Sequence, residues 1–289
     1  MSEFKQQLHE QGYIADEELV VALQLTEVLD RPLLVEGDAG VGKTEIAKVL
    51  AALHQLPLIR LQCYEGLDAR QAIYEWHYAK QLLSLNQAQS GAPSVDVFSE
   101  AFLLPRPLLH AIRQPDGCVL LIDEVDRADE AFEAFLLEVL SDFQVSIPEL
   151  GTLSAAVKPR VILTANGTRE LSDALRRRCL YHYIAYPDVT KEIQILRAKL
   201  PGVDRAFALQ VCQFVAGLRS LDLVKRPGIA ETLDWARAML SLEVKDLLQS
   251  PDQTFNARST LLKTEEDRSL VDRERWAAIL TAVGHAATD

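Results

Sequence analysis

The stretch GDAGVGKT, residues 37–44, constrains the fold of this chain more than any other. It fits the pattern G-x-x-x-x-G-K-[ST], follows the apolar run 33–35 and precedes an amphipathic segment, 43–54. A strand, a glycine-rich turn and a helix in this order let backbone N–H groups surround phosphate oxygens at the positive end of the helix. We therefore predict binding of ATP with Mg²⁺, in which Lys43 reaches the β- and γ-phosphates and the Thr44 hydroxyl binds the metal. The predicted phosphate-binding residues are Gly37, Asp38, Ala39, Gly40, Val41, Gly42, Lys43 and Thr44.

Four further short apolar runs follow, at 58–63, 119–122, 161–163 and 181–185. Five such runs separated by helical segments predict an α/β fold with a parallel five-stranded sheet covered on both faces. After Pro187 the apolar spacing is helical, in 190–200, 205–219, 229–242 and 271–286. We predict an α/β nucleotide-binding domain over 1–187 and an all-α domain over 188–289. The small, polar stretch 87–94 predicts a surface loop, and 243–267 has no assignable pattern.

Charge and cysteine usage limit the possible partners and location. There are 30 Lys+Arg against 42 Asp+Glu, a net charge of −12, which argues against sequence-independent binding of nucleic acid. The four cysteines are scattered, with no C-x-x-C pair, which suits a reducing compartment. The first residues lack the apolar core of a signal peptide, and no apolar run is long enough to span a membrane. We expect a cytoplasmic protein without membrane insertion.

Two carboxylates, Asp123 and Glu124, follow the third apolar run directly. Ligands of open parallel sheets gather at the carboxyl ends of the strands, so both should lie near the phosphate loop. There Asp123 can hold Mg²⁺ and Glu124 can polarise an attacking water. An acidic turn that caps the next helix is the alternative for the pair alone, but the preceding phosphate loop favours hydrolysis.

Asn166 ends the fourth run, and three arginines, Arg176, Arg177 and Arg178, follow in a helical segment. Asn166 can orient the attacking water or contact the γ-phosphate; a turn-forming Asn before Gly167 is the alternative. The arginines form either a solvated basic helix end or an arginine finger that reaches the nucleotide of a neighbouring subunit.

In this order of motifs the chain resembles AAA+ ATPases, and within them the MoxR group and its CoxD-like proteins. The resembling stretches are GYIAD (12–16), RPLLVEGDAGVGKTEIAK (31–48), LQCYEGLDARQAIYEWHYAKQLL (61–83), LLPRPLLHAI (103–112), LLIDEVDRADEAFEAFLLEVLSDFQVSIPELG (120–151) and KRPGIAETLDWA (225–236). The resemblance implies an AAA+ core with a small helical lid domain. It also implies a homo-oligomeric ring, most often a hexamer, with ATP at the subunit interfaces.

The resemblance assigns the arginine finger to Arg178, although Cys179 stands where the family pattern has Phe and Arg177 is a rival. The arginine that many AAA+ lids direct at the γ-phosphate has only Lys225 and Arg226 as candidates, both before Pro227. The resemblance also implies a β-hairpin within 143–154. The aromatic segment 74–78, if helical, places Trp76 with Ile73 and Leu83 on one face, with Trp76 in the core.

The function that follows is ATP hydrolysis coupled to chaperone-like remodelling or maturation of a protein client. By resemblance the client is a metalloenzyme, such as a molybdenum enzyme, or a von Willebrand A-type protein. Two alternatives remain open: a nucleic-acid-dependent motor or clamp-loader-like ATPase, and a nucleotide-switched scaffold that does not hydrolyse ATP.

Overall fold

The computed structural model describes residues 2–89 and 96–286. Its strands are β1 (Leu33–Gly37), β2 (Leu58–Gln62), β3 (Tyr74–Trp76), β4 (Leu103–Pro105), β5 (Val119–Asp123), β6 (Gln144–Ile147), β7 (Gly151–Ser154), β8 (Arg160–Ala165) and β9 (Leu180–Ile184). Its helices are α1 (Glu3–Glu10), α2 (Glu17–Leu29), α3 (Lys43–His54), α4 (Ala69–Ile73), α5 (Tyr78–Gln89), α6 (Pro107–Ile112), α7 (Glu130–Asp142), α8 (Asp173–Arg178), α9 (Val189–Lys199), α10 (Arg205–Arg219), α11 (Ile229–Ser241), α12 (Pro251–Asn256), α13 (Glu265–Leu270) and α14 (Arg273–Ala286). Residues 87–89 end α5 instead of forming a loop, and the rest of the predicted loop 87–94 lies outside the described residues.

The five predicted apolar runs form one parallel sheet, in the order β2-β5-β8-β1-β9. The strand β5, which lies between β2 and β8, is buried at every residue, which explains its apolar sequence up to Asp123. Register places Gln62 of β2 opposite Asp123 of β5, and Glu36 of β1 opposite Ala165 of β8. The carboxyl ends of these strands therefore bring their polar residues to one edge of the sheet. The prediction of an α/β fold with a five-stranded parallel sheet, followed by a helical region, is confirmed.

The helical interpretation of the aromatic segment is wrong, because Tyr74–Trp76 forms the strand β3. It pairs antiparallel with β4, with Trp76 opposite Leu103. Trp76 is buried, as predicted, and packs in a cluster with Ile73, Phe102 and Ile147. Leu83, which the helical pattern placed beside it, is 63% exposed. Pairing with a strand distant in sequence outweighs the local periodicity here.

The predicted hairpin is present: β6 and β7 pair antiparallel, with Val145 opposite Leu153. Val145 and Ile147 are buried in the same cluster as Trp76, whereas β7 is mostly exposed. The apolar face of β6 therefore fixes the hairpin to its neighbours.

Contacts between Cα atoms divide the chain into two compact units that are discontinuous in sequence. Unit 1 comprises the described residues of 1–15, 38–42 and 184–289, and unit 2 comprises 16–37 and 43–183. Unit 1 is helical, and its core contains the aromatic side chains Phe214, Trp235 and Trp276. Unit 2 contains the sheet and the hairpin. The predicted boundary after residue 187 remains a prediction.

Side-chain caps begin many of these helices. Asp16, Asp129 and Asp188 accept hydrogen bonds from the backbone N–H groups three residues further on, at 2.7–2.8 Å. These bonds satisfy donors that a helix leaves without partners at its first turn. In the described part of the chain, no helix combines the length and apolar character needed to cross a membrane.

Candidate nucleotide site

The glycine-rich loop between β1 and α3 depends on backbone conformations that favour glycine. Gly40 and Gly42 have φ values of +81° and +96°. A Cβ atom on Gly42 would meet nothing within 4 Å, so steric crowding does not explain this glycine; its backbone conformation does. These glycine conformations connect the end of β1 to the first turn of α3.

Lys43, the first residue of α3, is 6% exposed and its ammonium group lies between two oxygens of unit 2. Its Nζ donates to the carbonyl of Gly37 at 2.7 Å and to Oδ1 of Asn166 at 2.8 Å. A buried ammonium group needs such partners. The structure thus brings two predicted residues, Lys43 and Asn166, into direct contact although 123 positions separate them.

Asp123, the last residue of β5, is 3% exposed and its carboxylate collects several donors. Thr44 Oγ1 lies 3.2 and 3.5 Å from its two oxygens, and Thr164 Oγ1 donates to Oδ1. Arg60 of β2 places Nη2 2.5 Å from Oδ2. The predicted pair Thr44 and Asp123 is therefore together, and Arg60 and Thr164 are additions that the sequence analysis missed.

Glu124 follows Asp123 with a left-handed backbone, φ +53° and ψ +49°. Its N–H donates to Thr164 Oγ1 at 2.9 Å, and its Oε2 accepts from Gln62 Nε2 at 3.1 Å and Arg127 Nη1 at 3.0 Å. The side chain is 32% exposed, so water reaches the carboxylate. Gln62 and Arg127 hold it in one orientation, and the sequence analysis missed both.

The loop after β8 is held by Asp126, a buried carboxylate that the sequence analysis also missed. Its Oδ2 accepts from the N–H of Asn166 at 3.1 Å, and from the N–H and hydroxyl of Thr168 at 2.9 and 2.6 Å. These bonds fix the backbone from which the Asn166 side chain reaches Lys43. The only sequence signal was a third acidic residue, two positions after Glu124.

The three arginines all lie in helix α8, but their side chains have different surroundings. Arg178 is exposed and its Nε donates to Ser141 Oγ at 2.9 Å, whereas Arg176 lies 3.7 Å from Glu36. Arg177 is also exposed. The guanidinium of Arg31 binds the carbonyls of 177, 178 and 179 at the end of the helix. Both candidates for the finger thus stand on a helix end whose carbonyls are capped.

The candidate lid residues Lys225 and Arg226 are exposed. The backbone of this segment is held by Asp267, which accepts from the N–H groups of Val224 at 2.7 Å and of Lys225 itself at 3.1 Å. Although burial acts in the opposite direction, hydrogen bonds from Thr264 and these two N–H groups lower the pKa of Asp267. This carboxylate therefore stays ionised.

Cys63 lies directly after β2, fully buried, and its N–H donates to the carbonyl of Asp123 at 2.9 Å. Burial, and then the carboxylates of Asp123, Asp126 and Glu124, raise the pKa of the Cys63 thiol to about 12. The thiol therefore remains protonated and carries no charge beside the acidic pair.

The donor set fits a magnesium nucleotide. A carboxylate and a hydroxyl 3.2 Å apart, Asp123 and Thr44, are the hard oxygen ligands that Mg²⁺ prefers. The guanidinium of Arg60 on Asp123 demonstrates that this carboxylate takes a cationic partner. Lys43 at the start of a helix provides the positive charge that a phosphate needs.

Comparison with known proteins agrees with this geometry. The family model for the AAA domain, dynein-related subfamily, matches residues 32–179, slightly more than half of the chain. The chain belongs to this AAA family. The matched range includes the phosphate loop, the acidic pair, Asn166 and the three arginines.

Relatives of this AAA protein include the uncharacterized protein SH1500 of Staphylococcus haemolyticus. The two are 27% identical over 248 residues, which is 83% of this chain and 87% of the relative. A second relative, SAB1265c of Staphylococcus aureus, gives the same identity and coverage.

Among solved structures, a mutant of Thermotoga maritima RuvB is similar with a TM-score of 0.52 and 18% identity, over 90% of this chain and 70% of that one. The structure of the T. maritima RuvB Holliday junction branch migration motor is similar with a TM-score of 0.51 and 16% identity, over 93% of this chain and 80% of that one. At these identities the similarity concerns the fold.

Proposed function

We propose that this AAA protein is a Mg²⁺-dependent ATPase that hydrolyses ATP to ADP and phosphate. The observation that carries the proposal is the cluster at the carboxyl end of the sheet. There Lys43 contacts Asn166, Thr44 contacts Asp123, and the partly exposed Glu124 carboxylate follows at once in the chain. Membership of the AAA family supports nucleotide hydrolysis in general.

Each of these side chains has a distinct role in the proposal. Lys43 and the loop 37–42 bind the phosphates, and Thr44 with Asp123 holds Mg²⁺, which when bound neutralises charge on the phosphate oxygens. Glu124 accepts a proton from the attacking water, with its carboxylate oriented by Gln62 and Arg127. Asn166 contacts the γ-phosphate or orients the water.

The proposal includes a homo-oligomeric ring, with a hexamer as the expected form. AAA+ ATPases commonly assemble into rings, and an exposed arginine on one subunit can then reach the nucleotide of the next. Arg178 is our candidate, because it matches the family pattern and is exposed on α8. Arg177 is the rival.

The work that hydrolysis drives is proposed from resemblance to the MoxR group and its CoxD-like proteins. It is the remodelling or maturation of a protein client, a metalloenzyme or a von Willebrand A-type protein. The net charge of −12 supports a protein client over a nucleic acid. The likeness to RuvB concerns the fold and adds no nucleic-acid function.

The test is a comparison of Glu124→Gln with Glu138→Gln, an exposed glutamate on α7 that takes no part in the site. Removing a general base should lower phosphate release by about 10²–10⁴-fold without loss of ATP binding. The Glu138 variant should release phosphate and bind ATP as the unaltered protein does. Phosphate release is followed with a coupled assay and ATP binding with a fluorescent analogue.

Normal turnover by Glu124→Gln would remove Glu124 as the base. An unaltered protein that binds ATP but releases no phosphate, alone or with DNA, would favour the non-hydrolysing scaffold. Turnover that rises strongly on addition of DNA or RNA would favour the nucleic-acid motor.

A further inference from the structure

A buried ion pair in unit 1 joins the end of α10 to α9. Arg219 and Glu192 have side chains that are 13% and 2% exposed. They form a bidentate pair, in which Nη1 donates to Oε2 and Nη2 to Oε1, each at 2.8 Å. A buried pair of this kind adds little net stability over apolar residues, because both charges leave water. Its presence therefore suggests a role in fixing one arrangement of its surroundings.

The remaining donors of Arg219 are directed at the start of α11. Its Nε donates to the carbonyl of Pro227 at 2.7 Å, and its Nη2 to Thr232 Oγ1 at 3.1 Å. The Thr232 hydroxyl lies 2.8 Å from Glu192 and 3.0 Å from the carbonyl of Gly228. Arg219 and Glu192 thus hold the two residues that precede the helix.

This segment contacts the phosphate loop, backbone against backbone. The N–H of Ile229 donates to the carbonyl of Gly40 at 3.0 Å. A Cβ atom on Gly228 would lie 2.9 Å from the Cα of Gly40, closer than real Cβ atoms approach, and 3.0 Å from its carbonyl oxygen. Both positions need glycine for this contact.

Tyr186 makes a second connection from Arg219 to the same loop. The guanidinium carbon lies 5.3 Å from the centre of the Tyr186 ring, and the hydroxyl donates to the carbonyl of Ala39 at 3.2 Å. Burial, followed by the Asp38 carboxylate, raises the pKa of Tyr186, which keeps the hydroxyl protonated as a donor. Two consecutive carbonyls of the loop are therefore anchored: that of Ala39 by Tyr186, which Arg219 contacts, and that of Gly40 by Ile229, which follows the segment that Arg219 holds.

We propose that Arg219 is a positioning residue for the phosphate loop: through Tyr186 and the Pro227–Gly228 segment it keeps residues 38–42 in the conformation that binds nucleotide. The proposal rests on the proposed ATPase function. A glycine-rich loop has many accessible conformations, and each one that does not bind lowers the apparent affinity by its share of the population. Anchoring two carbonyls removes such conformations before the nucleotide arrives.

The experiment compares Arg219→Lys and Arg219→Met with Arg237→Met, a matched change of an exposed arginine on α11. Loop exchange is measured on the nucleotide-free protein as hydrogen exchange of the Ile229 amide, which donates to the carbonyl of Gly40, with the amides of β5 as an internal reference. We expect loop exchange to rise about tenfold in both Arg219 variants, with that of β5 unchanged. The KM for ATP should rise about tenfold while kcat stays within about twofold, because the loop acts on binding.

Tyr186→Phe provides a variant that keeps the buried ion pair, in case the Arg219 variants do not fold. It removes only the hydroxyl bond to Ala39, so loop exchange and KM should rise by about threefold. Loop exchange that equals that of the Arg237 control in all folded variants would overturn the proposal. If the unaltered protein binds no ATP, the proposed function fails, whereas exchange in the nucleotide-free protein still decides whether Arg219 orders the loop.

Discussion

The residue that concentrates the chemistry of unit 2 is Asp123. Its two oxygens accept from two hydroxyls and one guanidinium while the side chain is almost fully buried. A carboxylate with this set of partners offers hard oxygen atoms at the edge of the sheet, which is what a Mg²⁺ ligand needs. The guanidinium of Arg60, however, competes for the same oxygens that would hold Mg²⁺.

We expect Arg60→Gln to lower the Mg²⁺ concentration that half-saturates nucleotide binding. The Arg60 side chain is 54% exposed, and pairs of this kind contribute up to about 1 kcal/mol, so the shift should be about threefold. The measurement is a Mg²⁺ titration of nucleotide binding, paralleled by phosphate release. Arg106→Gln, which removes another half-exposed ion pair, is the control. A higher Mg²⁺ requirement would instead mean that Arg60 helps to bind the nucleotide.

The motifs were sufficient to predict that Lys43, Thr44, Asp123 and Asn166 lie close together, because the apolar runs indicate where each buried strand ends. They did not reveal Arg60 or Gln62. Both stand on β2, and their partners depend on the register of β2 against β5. Register arises from pairing between distant segments, and no local pattern encodes it.

At the scale of elements, the position of α8 depends on one buried carboxylate of α7. Glu133 is 1% exposed, pairs with Arg169 and accepts from the N–H of Ser172 at 2.9 Å. Ser172 in turn caps α8. The helix that bears the three arginines is therefore fixed at its start by Glu133 and at its end by Arg31.

Glu133→Ala should lower the free energy of unfolding by about 2–3 kcal/mol, because it removes charge-assisted hydrogen bonds from a buried site. Glu133→Gln keeps one acceptor oxygen, so its free energy of unfolding should decrease by less. Urea unfolding provides the measurement, and Glu138→Ala, on the exposed face of the same helix, should change the stability by less than about 0.5 kcal/mol. Equal stability of the Glu133 and Glu138 variants would contradict this role.

The amphipathic helices α3 and α10 were predicted well, whereas the short helices within 243–267 and the strand β3 were not. The limits of α3 and α10 match the predicted segments, since each presents several turns of one apolar face. Within 243–267 the structure has only short helices, whose buried positions include Thr254 and Asp267. Polar residues in the interior hide the apolar spacing from which a helix is predicted. For β3, the partner strand decided the structure against local periodicity.

At the scale of the whole molecule, the proposed ring leads to a prediction about mixtures of inactive subunits. Arg178→Ala leaves a subunit that binds ATP, and Lys43→Ala leaves one that presents Arg178. Neither alone should turn over ATP. In an equal mixture, random assembly pairs the two competent halves at about a quarter of the interfaces, which should recover that share of phosphate release.

Arg177→Ala is the matched control and should remain active alone if Arg178 is the finger. Failure of the mixture to recover activity, in a preparation whose sedimentation demonstrates mixed rings, would contradict a finger that acts between subunits. Loss of activity in Arg177→Ala with full activity in Arg178→Ala would transfer the role to Arg177.

The left-handed backbone of Glu124 has a consequence beyond the site. For an L-residue that bears a Cβ this conformation costs about 1–2 kcal/mol, and glycine adopts it without that cost. Selection for a stable fold alone would favour glycine at this position, and with it the loss of the carboxylate. Under the proposed function, the chain retains a strained backbone at the residue that bears the proposed general base, so that stability is lost locally where activity requires a carboxylate.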